Sequence, residues 1–476
     1  MTSIELEVQQ IYIFVAEINV NCNMSKTVRL KKGLNIKLVG EADKVKVDLD
    51  APQTVALKPT DFHGLFPKVV LKPGDKVKVG DVIFYDKYNE SVKFVSPVSG
   101  EFDEIVRGEK RKILEVRIKN DGKNDAVKND PVDLSKASRE DVKKAMLDKG
   151  LWPFLVQRPI DIVADPKVEP KAIFISGFDS APLAPDMDFI IHGKDEHFQK
   201  GLDAIAKLTD GKVHLTLNAD VPADPAFKNA KNVQVNKIAG KHPAGNVGTQ
   251  IHYFDPIARG EFVFTIKPQD VVTIGKFFAE GVFDPTRIIA FTGSEAKNRK
   301  YYRTIIGAEL SGLLKDNLEA ENVRIISGNA LTGDNAGRDG YLGFYHSQIT
   351  VLPEGDDYKF FLTKGWLGPG LDKFSSHRLF PTWLFPNKKY RLDTNMNGEE
   401  RGFVVTGEME KVFPFHILPM QLIKAVMTDD IDSMEQLGIY EIAPEDFALC
   451  EYVCTSKIPI QEKIREGLDL IQEECM

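Results

Sequence analysis

Cysteine is scarce, with four in 476 residues, at positions 22, 450, 454 and 475. So few thiols in so long a chain exclude a disulfide-stapled fold and fit a reducing compartment such as the cytoplasm. Long apolar runs are missing as well. The most apolar stretches, IYIFVA and FPFHILPMQLIKAVM, are shorter than the ~18 residues of a spanning helix and are cut by Glu, Pro or Lys. No membrane crossing is predicted. A basic excess is also absent: 62 Lys and Arg against 70 Asp and Glu give a net charge of −8. Without a basic stripe for a phosphate backbone, nucleic acid is not an expected partner. Residues 1–23 lack the basic start and unbroken apolar segment of a secretory signal. Met24, just before SKTVRLKKGL, reads as a second start, so residues 1–24 are expected to be either an N-terminal tail or the product of a misplaced start.

What is present is enough chain for three or four domains of the usual ~100–200 residues. In VVLKPGDKVKVGDVIFYDKYNESVKFVSPVSGEFDEIV, apolar and polar residues alternate and Gly74, Gly80 and Gly100 fall at turns. This spacing predicts a small all-β sandwich over residues 25–125. The pair KPGDKVKVGDVI and SPVSG resembles the biotinyl/lipoyl carrier fold, a barrel-sandwich hybrid whose hairpin corners such residues set. Lys87 falls where a carrier holds its modified lysine. Its turn is longer than a carrier's and lacks the Met-Lys-Met or Thr-Asp-Lys-Ala setting, so a solvated turn lysine is the plainer reading. Upstream, KPTDFHGLFPKVV gathers Phe62, Leu65 and Phe66 around Gly64 in a loop. Its aromatics either tuck under the sandwich or form an apolar contact patch.

From LSKASREDVKKAMLDKGLW the apolar period becomes about 3.6, with Val142, Ala145, Met146 and Leu151 on one stripe behind the cap candidates Ser135 and Ser138. KAIFISGF and VHLTLNA read as buried strands flanking the helix HFQKGLDAIAKLTDGK, an alternation that predicts a parallel sheet. A Rossmann-like α/β domain is therefore expected over residues 126–284. A bound flavin or dinucleotide would require a glycine-rich turn from strand to helix. None is found, and Trp152, Pro153 and Phe154 in KGLWPFLVQRPID fill the entry to this domain.

The most distinctive string is KHPAGNVGTQIHYFDP, Lys241 to Pro256. Pro243 fixes φ, Gly245 and Gly248 admit left-handed backbone, and Thr249 offers a hydroxyl to a local turn. It reads as a built loop with three uses: a structural turn, a polar pocket with His242 and His252 facing a ligand, or a metal site. Metal is the weakest, because two histidines ten residues apart still need a third ligand.

Further on, TRIIAFTGSEAKNRKYYRTIIGAELSGLLKD, VRIISGNALTG and GYLGFYHSQITVL follow the order of a β-grasp domain, expected over residues 285–356. The loop TGDNAGRDG is a turn, lacking the Lys-Ser/Thr of a P-loop. A hairpin and a C-terminal helical domain are expected over residues 357–476. In PEDFALCEYVC, Pro444 and two acids open a helix that puts Cys450 and Cys454 on one face, four apart, with Phe447 and Val453. Small buried hydrophobes are favoured over a redox pair, and a disulfide at that spacing is awkward.

From about Lys31 to the end, the domain order and the strings HPAG…GT…H, VRIISGNALTG, GYLGFYHSQ and LCEYVC…K resemble the A subunit of the sodium-translocating NADH:quinone oxidoreductase, the Nqr family. The resemblance implies a carrier-like sandwich, a Rossmann-like domain, a β-grasp domain of the SLBB-like type and a helical end. That architecture is shared with the flavoprotein subunit of complex I and the matching subunit of the ferredoxin:NAD⁺ pump. Those relatives hold a cluster on runs of Cys-x-x-Cys-x-x-Cys, whereas this chain has only Cys450 and Cys454, too few to complete one.

The implied role is a peripheral, membrane-associated subunit on the cytoplasmic face of the bacterial inner membrane, within a complex that passes electrons from NADH to quinone and exports Na⁺. Its expected partners are the membrane subunits and quinone. No tightly bound cofactor and no catalytic or metal residue is expected in this chain, with NADH, flavins and the iron–sulfur cluster falling to other subunits. A quinone headgroup, flat and apolar with two carbonyl acceptors, needs apolar walls and a few donors. Phe62, His63, Leu65 and Phe66 on one loop, and His242, Gly245, Gly248, Thr249 and His252 on the other, are the candidates, with backbone amides at Gly245 and Gly248 as donors. Two other classes stay open: a lipoyl or biotin carrier modified at Lys87, which intact mass would reveal, and a stand-alone flavin NADH dehydrogenase, which a flavin spectrum would reveal.

Overall fold

The computed structural model describes residues 26–476 other than 358, 361, 363, 364, 366 and 377. The expected tail, residues 1–24 with Cys22, lies outside the described residues. The sandwich has one sheet of Thr54–Leu57, Ile113–Asn120, Gly100–Arg107 and Lys76–Val77, and another of Pro67–Val69, Val82–Asp86 and Lys93–Val95. Alternation along these strands turns Phe84, Phe94, Phe102 and Ile118 inward, and the Phe84 and Phe94 rings stack at 4.6 Å. Gly74 and Gly80 both sit at φ 92°, so the two Pro-Gly-Asp and Val-Gly-Asp corners use the left-handed backbone that their residues allow.

The α/β domain carries a seven-stranded sheet in the order Thr27–Arg29, Gln234–Ala239, Lys212–Asn218, Ala172–Ser176, Val263–Thr265, Val156–Arg158, Ile162–Val163. The first five strands run parallel, Val156–Arg158 is antiparallel to both its neighbours, and Ile162–Val163 therefore points with the five. On one face cross the helices Asp195–Ile205 and Pro268–Glu280. They approach so closely that a Cβ on Gly275 would fall 1.7 Å from the His197 carbonyl oxygen. Ser138 caps the Arg139–Asp148 helix in a capping box with Asp141.

A six-stranded sheet follows, ordered Asp334–Asn335, Val323–Ser327, Gln348–Pro353, Thr286–Thr292, Lys300–Ile305, Asp43–Asp48. Its central pair, Thr286–Thr292 with Gln348–Pro353, is parallel, the core of a β-grasp. The helix that packs against this sheet is a single turn, Ser311–Leu314. Two strands from ahead of the sandwich are shared out: Thr27–Arg29 extends the α/β sheet and Asp43–Asp48 the β-grasp sheet. Short alternating strands of this kind carry no local mark of which edge they will join.

Where a hairpin is expected after residue 357, the described residues form turns and one 3-10 turn, Pro381–Leu384. Pro369, Pro381, Pro386 and three nearby glycines break any ladder there. The helices Pro419–Met427, Ile431–Gln436, Ala448–Val453 and Ile460–Cys475 close the chain around Met420, Phe447, Cys450, Ile464 and Leu468. Both Cys450 and Cys454 are buried in that core, and burial raises the Cys450 thiol well above its ordinary pKa.

Candidate ligand cleft

One cleft of about 460 Å³ opens where the sandwich, α/β, β-grasp and helical parts meet, a volume in the usual range for a small-molecule site. Its floor is the carboxyl ends of Ala172–Ser176 and Val263–Thr265, with Ser176, Thr265 and Ile266 in the lining. After Ala172–Ser176 the chain lays its next two strands on one side, then places Val263–Thr265 on the other. That reversal of strand order is where open α/β sheets bind ligands. The strand-to-helix turn here, Gly177–Asp186, holds one glycine and two prolines, so it offers no glycine-rich cradle for a phosphate. The expectation that Trp152–Phe154 stand in that position is corrected. They form a buried 3-10 turn ahead of the Val156–Arg158 strand, where Trp152 donates its indole N–H to the Ala164 carbonyl at 2.6 Å and Phe154 lines the cleft.

The walls are aromatic and the charges are engaged. Phe62 packs edge-on against Tyr345 with centroids 5.7 Å apart, and both line the cleft. Tyr345 donates its hydroxyl hydrogen to the Pro153 carbonyl at 2.6 Å. Arg158, at the floor, is buried and meets Asp161 at 3.1 Å, Glu445 at 2.6 Å and Asp446 at 3.4 Å. Burial disfavours its charge, but these three carboxylates outweigh that and raise its pKa. In return, burial lifts Asp446 to about 7, against the opposing pull of Arg158. Arg465 is tied to Asp161 at 3.4 Å and Lys267 to the Tyr345 carbonyl at 2.7 Å. With its cations so occupied, the cleft suits a neutral ligand better than a phosphate.

The two predicted loops are brought together only in part. Phe62 and His63 come from the first and His242 and Gly245 from the second, and all four line the cleft. His63 is held by Asp469 on the last helix at 2.7 Å. Nδ1 of His242 shares a hydrogen bond with Ser180 Oγ at 3.0 Å, and burial keeps its pKa down to about 4, so the ring is neutral. Leu65 and Phe66 are outside: Phe66 is exposed and sits edge-on to Tyr88 at 4.9 Å.

The second string is half helix, Val247–Phe254, where a loop is expected, because the Gly-Asn turn ends at Asn246 and the helix runs on from there. Gly245 gives its amide to Ser180 Oγ at 2.8 Å, so that donor is spent inside the fold. Gly248 is a contact point: a Cβ there would lie 2.4 Å from the Asp446 carboxylate. Thr249 is fully buried and its hydroxyl has no partner among the described residues, so it closes no local turn. His252 faces away from the cleft. Its Nε2 accepts the His416 backbone N–H at 3.1 Å, which leaves the ring proton on Nδ1, donated to Glu441 at 2.5 Å. Lys87 follows the Val82–Asp86 strand as an exposed residue with its ammonium 5.7 Å from the Tyr88 ring centre.

Sequence reasoning missed Arg158, Arg465 and Tyr345 as lining residues. The last lies inside GYLGFYHSQ, a string distinctive enough to have pointed to it. The two arginines carry no local mark, since only the fold shows which arginine is buried.

Family models match the chain in three places: an NqrA N-terminal barrel-sandwich hybrid domain at residues 28–121, an NqrA second alpha/beta domain at 137–283, and an NQRA C-terminal domain at 288–338. Curated relatives span nearly all of it. The A subunit of the Na(+)-translocating NADH-quinone reductase of Neisseria meningitidis serogroup B is 37% identical over 453 residues, covering 94% of this chain and 100% of the relative. The protein of the same name from Shewanella frigidimarina is 38% identical, again covering 94% and 100%.

Proposed function

The chain belongs to the family of the A subunit of the Na⁺-translocating NADH-quinone reductase, and we propose that it binds a quinone headgroup in the four-part cleft while docking on the membrane subunits of that complex. The observation that carries this reading is the convergence of Phe62, His63, His242 and Gly245, from two loops some 180 residues apart in sequence, on one cleft at the sheet's strand-order reversal. Phe62, Phe154 and Tyr345 supply flat apolar walls. His242, kept neutral, carries one N–H that can be given to a quinone carbonyl, and His63 a second ring at the rim. The paired charges around Arg158 favour a neutral ligand over a nucleotide.

The chain's own part is binding and positioning. Electron carriers are assigned to other subunits of the complex, and the site of action is the cytoplasmic face of the inner membrane. Among the described residues no helix is long and apolar enough to cross a membrane, consistent with a peripheral attachment. Titrating a short-chain quinone into the isolated chain and following tryptophan and tyrosine fluorescence tests the reading. Saturable binding with one quinone per chain is expected, and a strictly linear, unsaturable response would reject it.

A further inference from the structure

Residues 359–391 differ in character from the rest of the molecule. They hold seven Lys and Arg against a single acid, Asp372, a local charge of +6 in a chain of net charge −8, and two of its three tryptophans. Leu371, Leu379, Trp383, Leu384 and Phe385 are all exposed, Leu379 by 75%. Scattered single apolar residues are ordinary on a surface, but five within fifteen positions are not.

The segment is anchored underneath. Tyr390 is buried, giving its amide to the Lys37 carbonyl at 2.8 Å and accepting from the Val39 amide at 2.9 Å. Thr382, also buried, ties across to the Lys373 carbonyl at 2.7 Å. The bases divide by position. Those at the ends pair with carboxylates, Lys359 with Asp393, Lys389 with Glu41 and Arg391 with Glu295. Those in the middle lie beside the apolar groups: Arg378 is 5.2 Å from the Trp383 ring centre, Lys373 is 5.1 Å from that of Phe380, and Lys388 donates to the Leu371 carbonyl.

We propose that this strap is an interfacial anchor that seats in the headgroup layer of an anionic lipid surface, with Leu379, Trp383, Leu384 and Phe385 entering the interface and Lys373, Arg378 and Lys388 meeting lipid phosphates. Interleaved bases with Trp, Phe and Leu are the composition that such surfaces hold, the rings at the interface and the long basic side chains reaching outward. Charge also supplies direction. An anionic surface repels a chain of net charge −8 except where the sign reverses, so the strap sets which face turns toward the lipid. The proposal deepens the docking half of the proposed function and rests on it for the nature of the membrane.

The test floats the full chain with phosphatidylcholine vesicles, with and without about 30% phosphatidylglycerol. Binding only to the anionic vesicles, weakened by salt, is expected. The pairs Trp383→Ala with Phe385→Ala, and Lys373→Glu with Arg378→Glu, should each lower partitioning about tenfold with an unchanged melting temperature. Absence of binding to anionic vesicles, equal binding to neutral ones, or unaltered binding by both variants overturns the proposal. Co-purification of the same variants with the membrane subunits is read separately. A wild-type chain that ignores vesicles, with variants that lose the subunits, would mark the strap as a protein-docking face, sinking the lipid anchor while leaving subunit docking intact.

Discussion

His242 shows how burial of one ring becomes a property of the whole fold. Its pKa is lowered from the ordinary ~6.5 to about 4 by burial. The stability this contributes is complete above about pH 6.5 and is lost progressively as pH falls from there to about 4, an effect of at most about 3–4 kcal/mol. The melting temperature of the wild-type chain should therefore fall more steeply between pH 6.5 and 4 than that of His242→Gln. Parallel curves would show that this ring is not what titrates. Cys450 and Cys454 are the converse case, groups whose chemistry is silenced by packing. Replacing both with Ala should cost up to about 3 kcal/mol through lost burial and leave quinone reduction by the assembled complex unchanged. Loss of turnover in a normally assembled complex would mean that the thiols do more than pack. The helical spacing of the two cysteines made their burial legible from sequence. The partners of His252 were not legible, because Glu441 and His416 lie more than 160 positions away and only the fold joins them.

Among the elements, the Val247–Phe254 helix and the turn at Glu445–Asp446 form a latch. Gly248 leaves room for the Asp446 carboxylate, Arg158 on its strand neutralises it, and His252 holds Glu441 on the same helical end. Arg158→Ala leaves the fully buried Asp446 carboxylate without its cation, with the partly exposed Glu445 and Asp161 beside it, a loss of about 3–5 kcal/mol. The loss should be larger at pH 8 than at pH 5, since Asp446, with a pKa of about 7, is protonated and neutral at the lower pH. Thermal melting at the two pH values checks this, and an equal loss at both would contradict it. The parallel strands Ala172–Ser176 and Lys212–Asn218 and the Asp195–Ile205 helix between them announced themselves by their apolar patterns. What the pattern could not announce was the sharing of Thr27–Arg29 and Asp43–Asp48 between other sheets, because edge pairing is decided by surfaces that form only when the domains meet.

At the scale of the whole molecule, four domains make a cleft that none makes alone, with its floor from the α/β sheet, one wall from the sandwich loop, another from Tyr345 of the β-grasp domain and a rim from Arg465 of the last helix. Part of the cleft's lining was readable beforehand, since the loops at Phe62 and His242 stood out by composition and four of their candidate residues line it; the rest comes from domain docking. The direct measurement is the quinone affinity of the isolated chain in three variants. Phe62→Leu and His63→Ala, which alter the cleft wall and rim, should weaken binding about tenfold each, an effect of about 1.4 kcal/mol. Phe66→Ala, outside the cleft, should leave it unchanged. Unaltered affinity in both cleft variants, or a loss confined to Phe66→Ala, would contradict quinone binding in this cleft.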